Sequence, residues 1–410
     1  MLGSLFPKIH RVYEQSPSAA ELECFACWLQ EVGYTHVATC DHLFRLKQIL
    51  EHAIEVVPDA LVSADELHQA FGGYCTNTDR AGLYRGTERA YARFLATRGR
   101  LLVSKAPAGP FDLLLQEYRQ YLTEVRGFTR STIDQHLSTI GDFLGRVLRH
   151  GEQTSDLTAA HVERYVALRS REVSRQTLQH TVARLRAFLR LAFTRGVIRT
   201  PLDTIDTPRT YRGELPPRAL DWCAVQRLLR SIDRTSPAGW RDYAILHLMA
   251  HYGLRPSEIV ALTFDSFDWR AQTFDVEQRK TRSTLVLPLA NRSVAILRGY
   301  LLRGRPASAD PHLFLRLRCP AGSLQHTAVC DIFYKRARRS GLALDGYSSY
   351  CLRHAFAMRL LTRGVGVKAI GDLLGHRSLE STCVYLRLDT ARLRSVALEV
   401  PCGSGRRTPS

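Results

Sequence analysis

Two proline-punctuated segments, KAPAGP over 105–110 and TPLDTIDTPRTYRGELPP over 200–217, constrain this 410-residue chain more than any other feature. Proline removes a backbone donor and drives the residue before it out of the α region, so neither segment sustains a helix or a central strand. At this length several cores are expected rather than one. The expected division is a helical module over 1–105, a second over 110–200, a mixed domain over 215–400 and a polar tail over 401–410.

The first two parts read as copies. WLQEVGYTHVATCDHL from Trp28 lies beside YLTEVRGFTRSTIDQHL from Tyr121 with one inserted residue; LVSADELHQAF from Leu61 resembles DLTAAHVERYV from Asp156; and Thr97-Arg98-Gly99 recurs as Thr194-Arg195-Gly196. Three matches in the same order favour a tandem duplication, each copy reading as four or five helices. In the second copy Leu113, Leu114, Tyr118, Tyr121 and Leu122 recur at helical spacing. Thr129 or Ser131 can cap a helix whose apolar face is Ile133, Leu137, Ile140, Phe143 and Leu144. Arg184, Arg186, Arg190 and Arg195 lie off the later stripe Leu185, Phe188, Leu189 and Ala192, available to phosphates or to water. The repeat also weighs against zinc. Cys24, Cys27, His36, Cys40 and His42 have ligand-like types, but the second copy keeps only His136 among them, so no metal is expected.

The third part is mixed. Helical stretches around Trp222–Ile232 and Trp240–Tyr252 precede two alternating runs, 273–277 and 284–289, that read as a β-hairpin; helical periodicity returns from about Val329 to Thr390. Charge singles out this part. The formal net charge is +18, and counting along the sequence gives −1 for 1–110, +3 for 111–206 and +16 for 207–410. A field concentrated in one half suits a polyanion. No run approaches the ~20 apolar residues that span a bilayer, and the opening MLGSLFPKIHRVYEQ lacks the apolar stretch of a secretion signal. The chain is expected to be cytoplasmic, with no membrane partner and its scattered cysteines free.

Within that basic half, four short stretches carry chemistry. In HYGLRPSEI, Gly253 ends one helix and Pro256 suits the first position of the next, leaving Arg255 at the junction, near unpaired amides where a phosphate can be held; Glu258 can orient it. In QRKTRS, Lys280 occupies the hairpin turn. Only six of the 57 basic residues are lysines, and lysine, unlike arginine, can release a proton. Arg353 opens a helix with Leu352, Ala355, Phe356 and Leu360 buried, projecting beside the core; Gly364 and Gly366 end that helix. A second helix, carrying Val367, Ile370, Leu373 and Leu374, stops at Gly375-His376. Nine residues beyond His376 lies Tyr385, on a short helix started by Ser378.

GLRPSEI, the R-K-T turn before LVLPL, LRHAFA, LLGH and the following tyrosine resemble, in order, the motifs of the tyrosine recombinase (phage integrase) family over roughly residues 110–395. The resemblance implies a mainly α fold with a small antiparallel β-sheet in the catalytic domain: two tandem helical modules, the second a core-binding domain, then the catalytic domain, closing as a clamp around DNA. It implies site-specific DNA strand exchange. Arg255 and Arg353 would clamp the scissile phosphate with a third hydrogen bond from His376, Tyr385 would attack to give a 3′-phosphotyrosyl link, and Lys280 would protonate the departing 5′-oxygen. It also implies double-stranded DNA as partner, a tetramer of like or unlike recombinases assembled on it, and no cofactor, two transesterifications conserving the phosphoester bonds. The terminal stretch Leu388, Leu393, Val396 and Leu398 could dock on a neighbour or on its own domain. One position departs: where the family has histidine, this chain has Tyr350, a hydrogen-bond donor but a poor base. That keeps a catalytically impaired accessory recombinase open. A type IB topoisomerase shares the chemistry but not the duplicated front end, and a metal-dependent transposase would need clustered carboxylates.

Overall fold

The computed structural model describes residues 1–52, 60–75, 81–102, 111–149, 151–207, 218–278, 283–376 and 378–386. By internal contacts the chain forms two compact units: Arg11–Phe25 with His42–Glu214, and Leu215–Ser410 with Met1–His10 and Ala26–Asp41. The division passes near the second proline-rich break, while the first hundred residues are shared between the units.

The unit containing 42–214 is helical. Four helices, Asp112–Glu124, Arg130–Val147, Ala159–Glu172 and Arg175–Thr194, close on a core that includes Tyr118, Ile140, Phe143, Tyr165, Leu185 and Phe188. Ile133, Ile140, Phe143 and Leu144 are buried as their spacing predicts and Leu137 packs at the edge, whereas Leu113 is 72% exposed because it falls on the outer side of the first helix. The arginines expected to face phosphate or water instead have partners inside the fold. Arg184 donates to Gln135 and Thr139, Arg186 to the Ile205 carbonyl and Arg190 to Asp203, and Arg195 stands 3.9 Å from Glu117.

The helices Ala19–Glu31, His36–His52, Ala64–Cys75 and Ala81–Thr97 belong to the preceding segment. Its punctuation matches that of the next one at the positions the sequence pairs. Gly33 and Gly127 both take positive φ, 92° and 58°, and the helices then start at His36 and Arg130. Ser63 and Thr158 both precede a helix that begins at the next residue, and Gly99 and Gly196 both take positive φ, 67° and 70°. A left-handed glycine and a hydroxyl before the first turn are general devices for stopping and starting helices, but their recurrence at paired positions accompanies the paired sequences. Among the described residues no group of three or more His, Cys, Asp or Glu side chains is placed to hold a metal ion.

In the other unit, residues 218–386 build a mostly helical domain on a large core that includes Leu228, Ile245, Leu248, Phe274, Tyr300 and Phe333. Ser236 accepts from the Gly239 amide at 3.1 Å and Pro237 occupies the first turn, starting the helix Pro237–Tyr252, which is buried on nearly all sides. The hairpin forms as its alternation predicts, Thr273–Gln278 against Ser283–Pro288 with Phe274 opposite Leu287, and Phe267–Asp268 adds a third antiparallel strand. Phe274, Val276 and Gln278 face in; Asp275 and Glu277 face out. The turn carrying Lys280 lies outside the described residues. Helix Asn291–Arg303 was not anticipated. Seven of its thirteen residues are apolar, but they fall around much of the helix, with Ile296, Leu297 and Tyr300 buried and Leu302 72% exposed, so no one-sided stripe announces it. Among the described residues no helix is long and apolar enough to cross a membrane.

Candidate active site

Three chain segments meet at the site, and each is stopped or started by a residue that leaves a polar group aimed at the others. Helix Pro237–Tyr252 ends at Gly253, left-handed at φ 66°. A Cβ there would stand 2.6 Å from Phe356 and 2.8 Å from Leu374, so both conformation and space demand glycine. Pro256 then holds Arg255 extended, at φ −77° and ψ 153°, and starts the helix Pro256–Ala261. Glu258, one turn on and 4% exposed, accepts from the Arg255 amide at 2.8 Å and from its guanidinium at 2.5 Å. This is the capping-box arrangement, with the carboxylate also tethering the arginine side chain.

Helix Tyr350–Thr362 brings Arg353. The expectation that this side chain projects beside the core is corrected: it is 5% exposed and points inward, donating to the Gly253 carbonyl at 2.6 Å and to the Leu374 carbonyl. Phe356 and Leu360 are only partly buried, against a satellite cluster of Ala357, Leu361, Ile370, Leu374 and Tyr385. The helix stops at Thr362, with Gly364 at φ 86°; Gly366 instead precedes the next helix, Val367–Leu374.

That helix ends at Gly375, left-handed at φ 59°. The Gly375 amide bonds the Asp372 carbonyl at 3.0 Å and the His376 amide bonds Gly371 at 2.9 Å, a Schellman closure. The Leu374 carbonyl stays outside that closure, at the negative end of the helix, and there both arginines find it: Arg353 and, at 3.3 Å, Arg255. Two guanidiniums thus converge on one carbonyl beside one buried carboxylate. Burial, with the neighbouring Arg255 charge, pulls the Arg353 guanidinium down to about 10. A phosphate group brought here would meet two cations already turned toward a single point.

His376 and Tyr385 complete the cluster. Nδ1 of His376 pairs with the Thr382 hydroxyl at 2.7 Å, on the short helix Glu380–Cys383. Tyr385 lies two residues past that helix rather than on it. It is 3% exposed, its ring nearly parallel to that of His376 at 6.4 Å between centroids, and its hydroxyl meets Nδ1 of His354 at 2.9 Å. Burial raises the Tyr385 phenol above its ordinary value despite the opposing pull of Arg353 and Arg255. Burial, then Arg353, lowers His354 to about 4; burial, then Arg353 and Arg255, lowers His376 to about 4. Both imidazoles are therefore neutral near pH 7.

The structure brings Arg255, Glu258, Arg353, His376 and Tyr385 together. Tyr350, at the first turn of its helix, is 43% exposed and acts electrostatically on Arg353. Lys280 lies outside the described residues; the strand ahead of it ends at Gln278, whose side chain packs so closely on Gly375 that a Cβ there would stand 1.8 Å from it. Sequence reasoning passed over His354 and Thr382. The signal for His354 was slight: a polar ring inside LRHAFA, next to an arginine already given a task.

This is a mostly helical domain in which a pair of converging guanidiniums stands beside a buried tyrosine. Residues 219–392 match the phage integrase family and residues 115–196 match the family's N-terminal SAM-like domain. A protein of Sinorhizobium fredii (strain NGR234) described as an integrase/recombinase is 31% identical over 94% of this chain and 92% of its own length. Tyrosine recombinase XerD of Listeria monocytogenes is 26% identical over 69% of this chain and 96% of its own. In fold, a lambda integrase dimer solved bound to a COC′ core site superposes with a TM-score of 0.54, at 17% identity over 75% of this chain and 87% of that one. The chain belongs to the phage integrase family of tyrosine recombinases, and its activity is site-specific recombination.

Proposed function

We propose that Tyr385 is the nucleophile that cuts and rejoins double-stranded DNA, through a 3′-phosphotyrosyl intermediate, in the integration, excision or transposition of a mobile element. The observation that carries this reading is the convergence of Arg255 and Arg353 on the Leu374 carbonyl, within electrostatic reach of the Tyr385 phenol. Two fixed guanidiniums stabilise charge developing on the non-bridging oxygens without reorganising at the moment of reaction. In this reading Glu258 holds Arg255, His376 adds a hydrogen bond to the phosphate, Tyr350 donates a further one, and Lys280 protonates the leaving 5′-oxygen. Each transesterification makes one phosphoester bond and breaks one, so the cycle needs neither ATP nor a cofactor. Exchange between two duplexes calls for four such sites, hence a tetramer assembled on DNA, working in the bacterial cytoplasm. Residues 110–200 act as the core-binding module and 215–400 as the catalytic domain. Residues 1–105 are a diverged copy of 110–200, a reading supported by the paired glycines and helix starts.

A nicked suicide duplex bearing the recombination site, from which the nicked fragment diffuses away, tests the nucleophile. Wild-type protein is expected to become covalently attached to DNA; Tyr385→Phe should bind the duplex with unchanged affinity and remain unattached. Attachment by the Phe variant would remove Tyr385 from this role. Binding without attachment by the wild type would favour the second reading, an accessory recombinase impaired by Tyr350.

A further inference from the structure

We propose that His354 is a catalytic residue of this chain: its Nδ1 accepts the hydroxyl proton of Tyr385 as that oxygen attacks the scissile phosphate. The proposal rests on the reading of Tyr385 as nucleophile and adds the base that this reading lacks. A phenol cannot attack phosphorus and keep its proton. The proton needs an acceptor within hydrogen-bond reach, about 2.6–3.2 Å between heavy atoms.

Among the described groups around Tyr385, geometry selects one. His376 lies nearly ring-parallel to Tyr385, with its Nδ1 occupied by Thr382. Glu258 is tied to the amide and the guanidinium of Arg255. Tyr350 is itself a phenol, and it stands where the family motif has a histidine. His354 Nδ1 is 2.9 Å from the Tyr385 hydroxyl, with the rings 5.7 Å apart and tilted by 55°, so the nitrogen meets the oxygen edge-on. The Tyr385 hydroxyl is protonated before attack and donates, which requires Nδ1 to be the bare nitrogen and Nε2 to carry the ring proton. His354 follows Arg353 directly on the same helix, so one rigid turn places both the phosphate clamp and the base.

The step balances without a co-reactant. The Tyr385 O–H bond breaks as its oxygen bonds phosphorus, the proton passes to His354 Nδ1 to give an imidazolium, and the P–O5′ bond breaks with that oxygen taking the proton of the leaving-group acid proposed above, Lys280. Religation runs the same transfers in reverse. The groups facing His354 are Arg353 on its own helix, His376 and Tyr385. Burial, then the guanidinium beside it, opposes the imidazolium. A bound phosphodiester offsets the guanidinium's part of that opposition, so the base strengthens when substrate is in place.

The test measures the rate of covalent attachment to the suicide duplex by wild-type protein, His354→Ala and His354→Asn, each with and without free imidazole. DNA affinity is measured in parallel, and the attached peptide is mapped. Asparagine keeps a hydrogen-bonding group beside the phenol but cannot take a proton at neutral pH, so a merely structural role would survive in it. Expected are unchanged DNA binding, attachment slowed about 10²- to 10⁴-fold in both variants, and partial recovery of His354→Ala by imidazole that rises with pH as imidazole becomes free base. Attachment by His354→Asn at the wild-type rate, or a slow His354→Ala that imidazole does not revive, overturns the assignment; if the alanine variant does not fold, the asparagine variant decides. Wild-type protein mapped to Tyr385 with unimpaired variants removes His354 alone, whereas wild-type protein that attaches through another residue removes the nucleophile and the base together.

Discussion

His247, His354 and His376 make the recombinase domain sensitive to acid, and the sense of the effect follows from their surroundings. His247 is 1% exposed and shares the Ser293 hydroxyl at 2.9 Å with Tyr252; burial, then His251 and Arg292, lowers it to about 3. His354 and His376 fall to about 4. All three folded values lie below the ordinary 6.5, so folding favours the neutral ring. That stabilisation is complete above about pH 6.5 and is lost as pH falls toward 4, because the unfolded chain takes up protons the folded one refuses. For His247 the loss at pH 5 is on the order of 2 kcal/mol, and His354 and His376, whose folded values also lie below 5, add to it. Carboxylates held low, such as Glu172 and Asp233, begin to contribute only below their ordinary 4.5 and 3.8. The thermal transition should therefore drop by about 5 °C or more between pH 7 and pH 5, and His247→Gln should flatten part of that slope. A transition temperature constant across this interval would contradict the assignment of neutral, buried rings.

At the scale of elements, the site is made of helix ends. Gly253, Arg255-Pro256 and Gly375 are stop and start signals, and the carbonyls of Gly253 and Leu374 hold Arg353 because the helices end where they do. Gly253→Ala tests this. A left-handed alanine costs about 1–2 kcal/mol, and its Cβ would press on Phe356 and Leu374, shifting the carbonyl that Arg353 uses. The expected outcome is a loss of about 2–4 kcal/mol in stability and an attachment rate that falls more than DNA affinity does; equal losses in rate and affinity would argue against a positioning role. These punctuating residues are also what made the site legible in advance. Gly253, Pro256 and Gly375 announce helix boundaries from one-dimensional information, and the hairpin announced itself through period-two alternation. Three things stayed hidden for physical reasons. The burial of Arg353 depends on acceptors 100 and 21 residues away in sequence. The bond between His354 and Tyr385 spans 31 residues and leaves no periodic trace. Helix Asn291–Arg303 packs on Pro237–Tyr252, a partner some forty residues upstream that its own apolar residues do not name.

On the scale of the whole chain, the +18 net charge divides into charge the fold already uses and charge left for a partner. In the helical unit the arginines are largely spoken for: Arg146 by Asp142 and Glu172, Arg169 by Glu172, Arg190 by Asp203. Such exposed pairs stabilise by about 1 kcal/mol at most, but they lower the local field. The excess of sixteen lies beyond residue 206, on the side of the chain where Lys335, Arg338 and Arg339 line an exposed helix face. If that excess meets DNA phosphates, binding releases counterions, and the logarithm of affinity falls with the logarithm of salt at about 0.9 per phosphate contacted. We expect a slope of about −5 or steeper on a duplex of unrelated sequence, so that raising salt from 50 to 200 mM weakens binding by roughly 10³-fold. Replacing Arg190 with Gln should change the slope by less than about one unit, since that side chain answers to Asp203. A slope near zero for the wild-type protein would mean that the basic half does not grip the backbone. A large change on losing Arg190 alone would mean that DNA breaks the pair with Asp203 and that the helical unit contributes more of the grip than its net charge indicates.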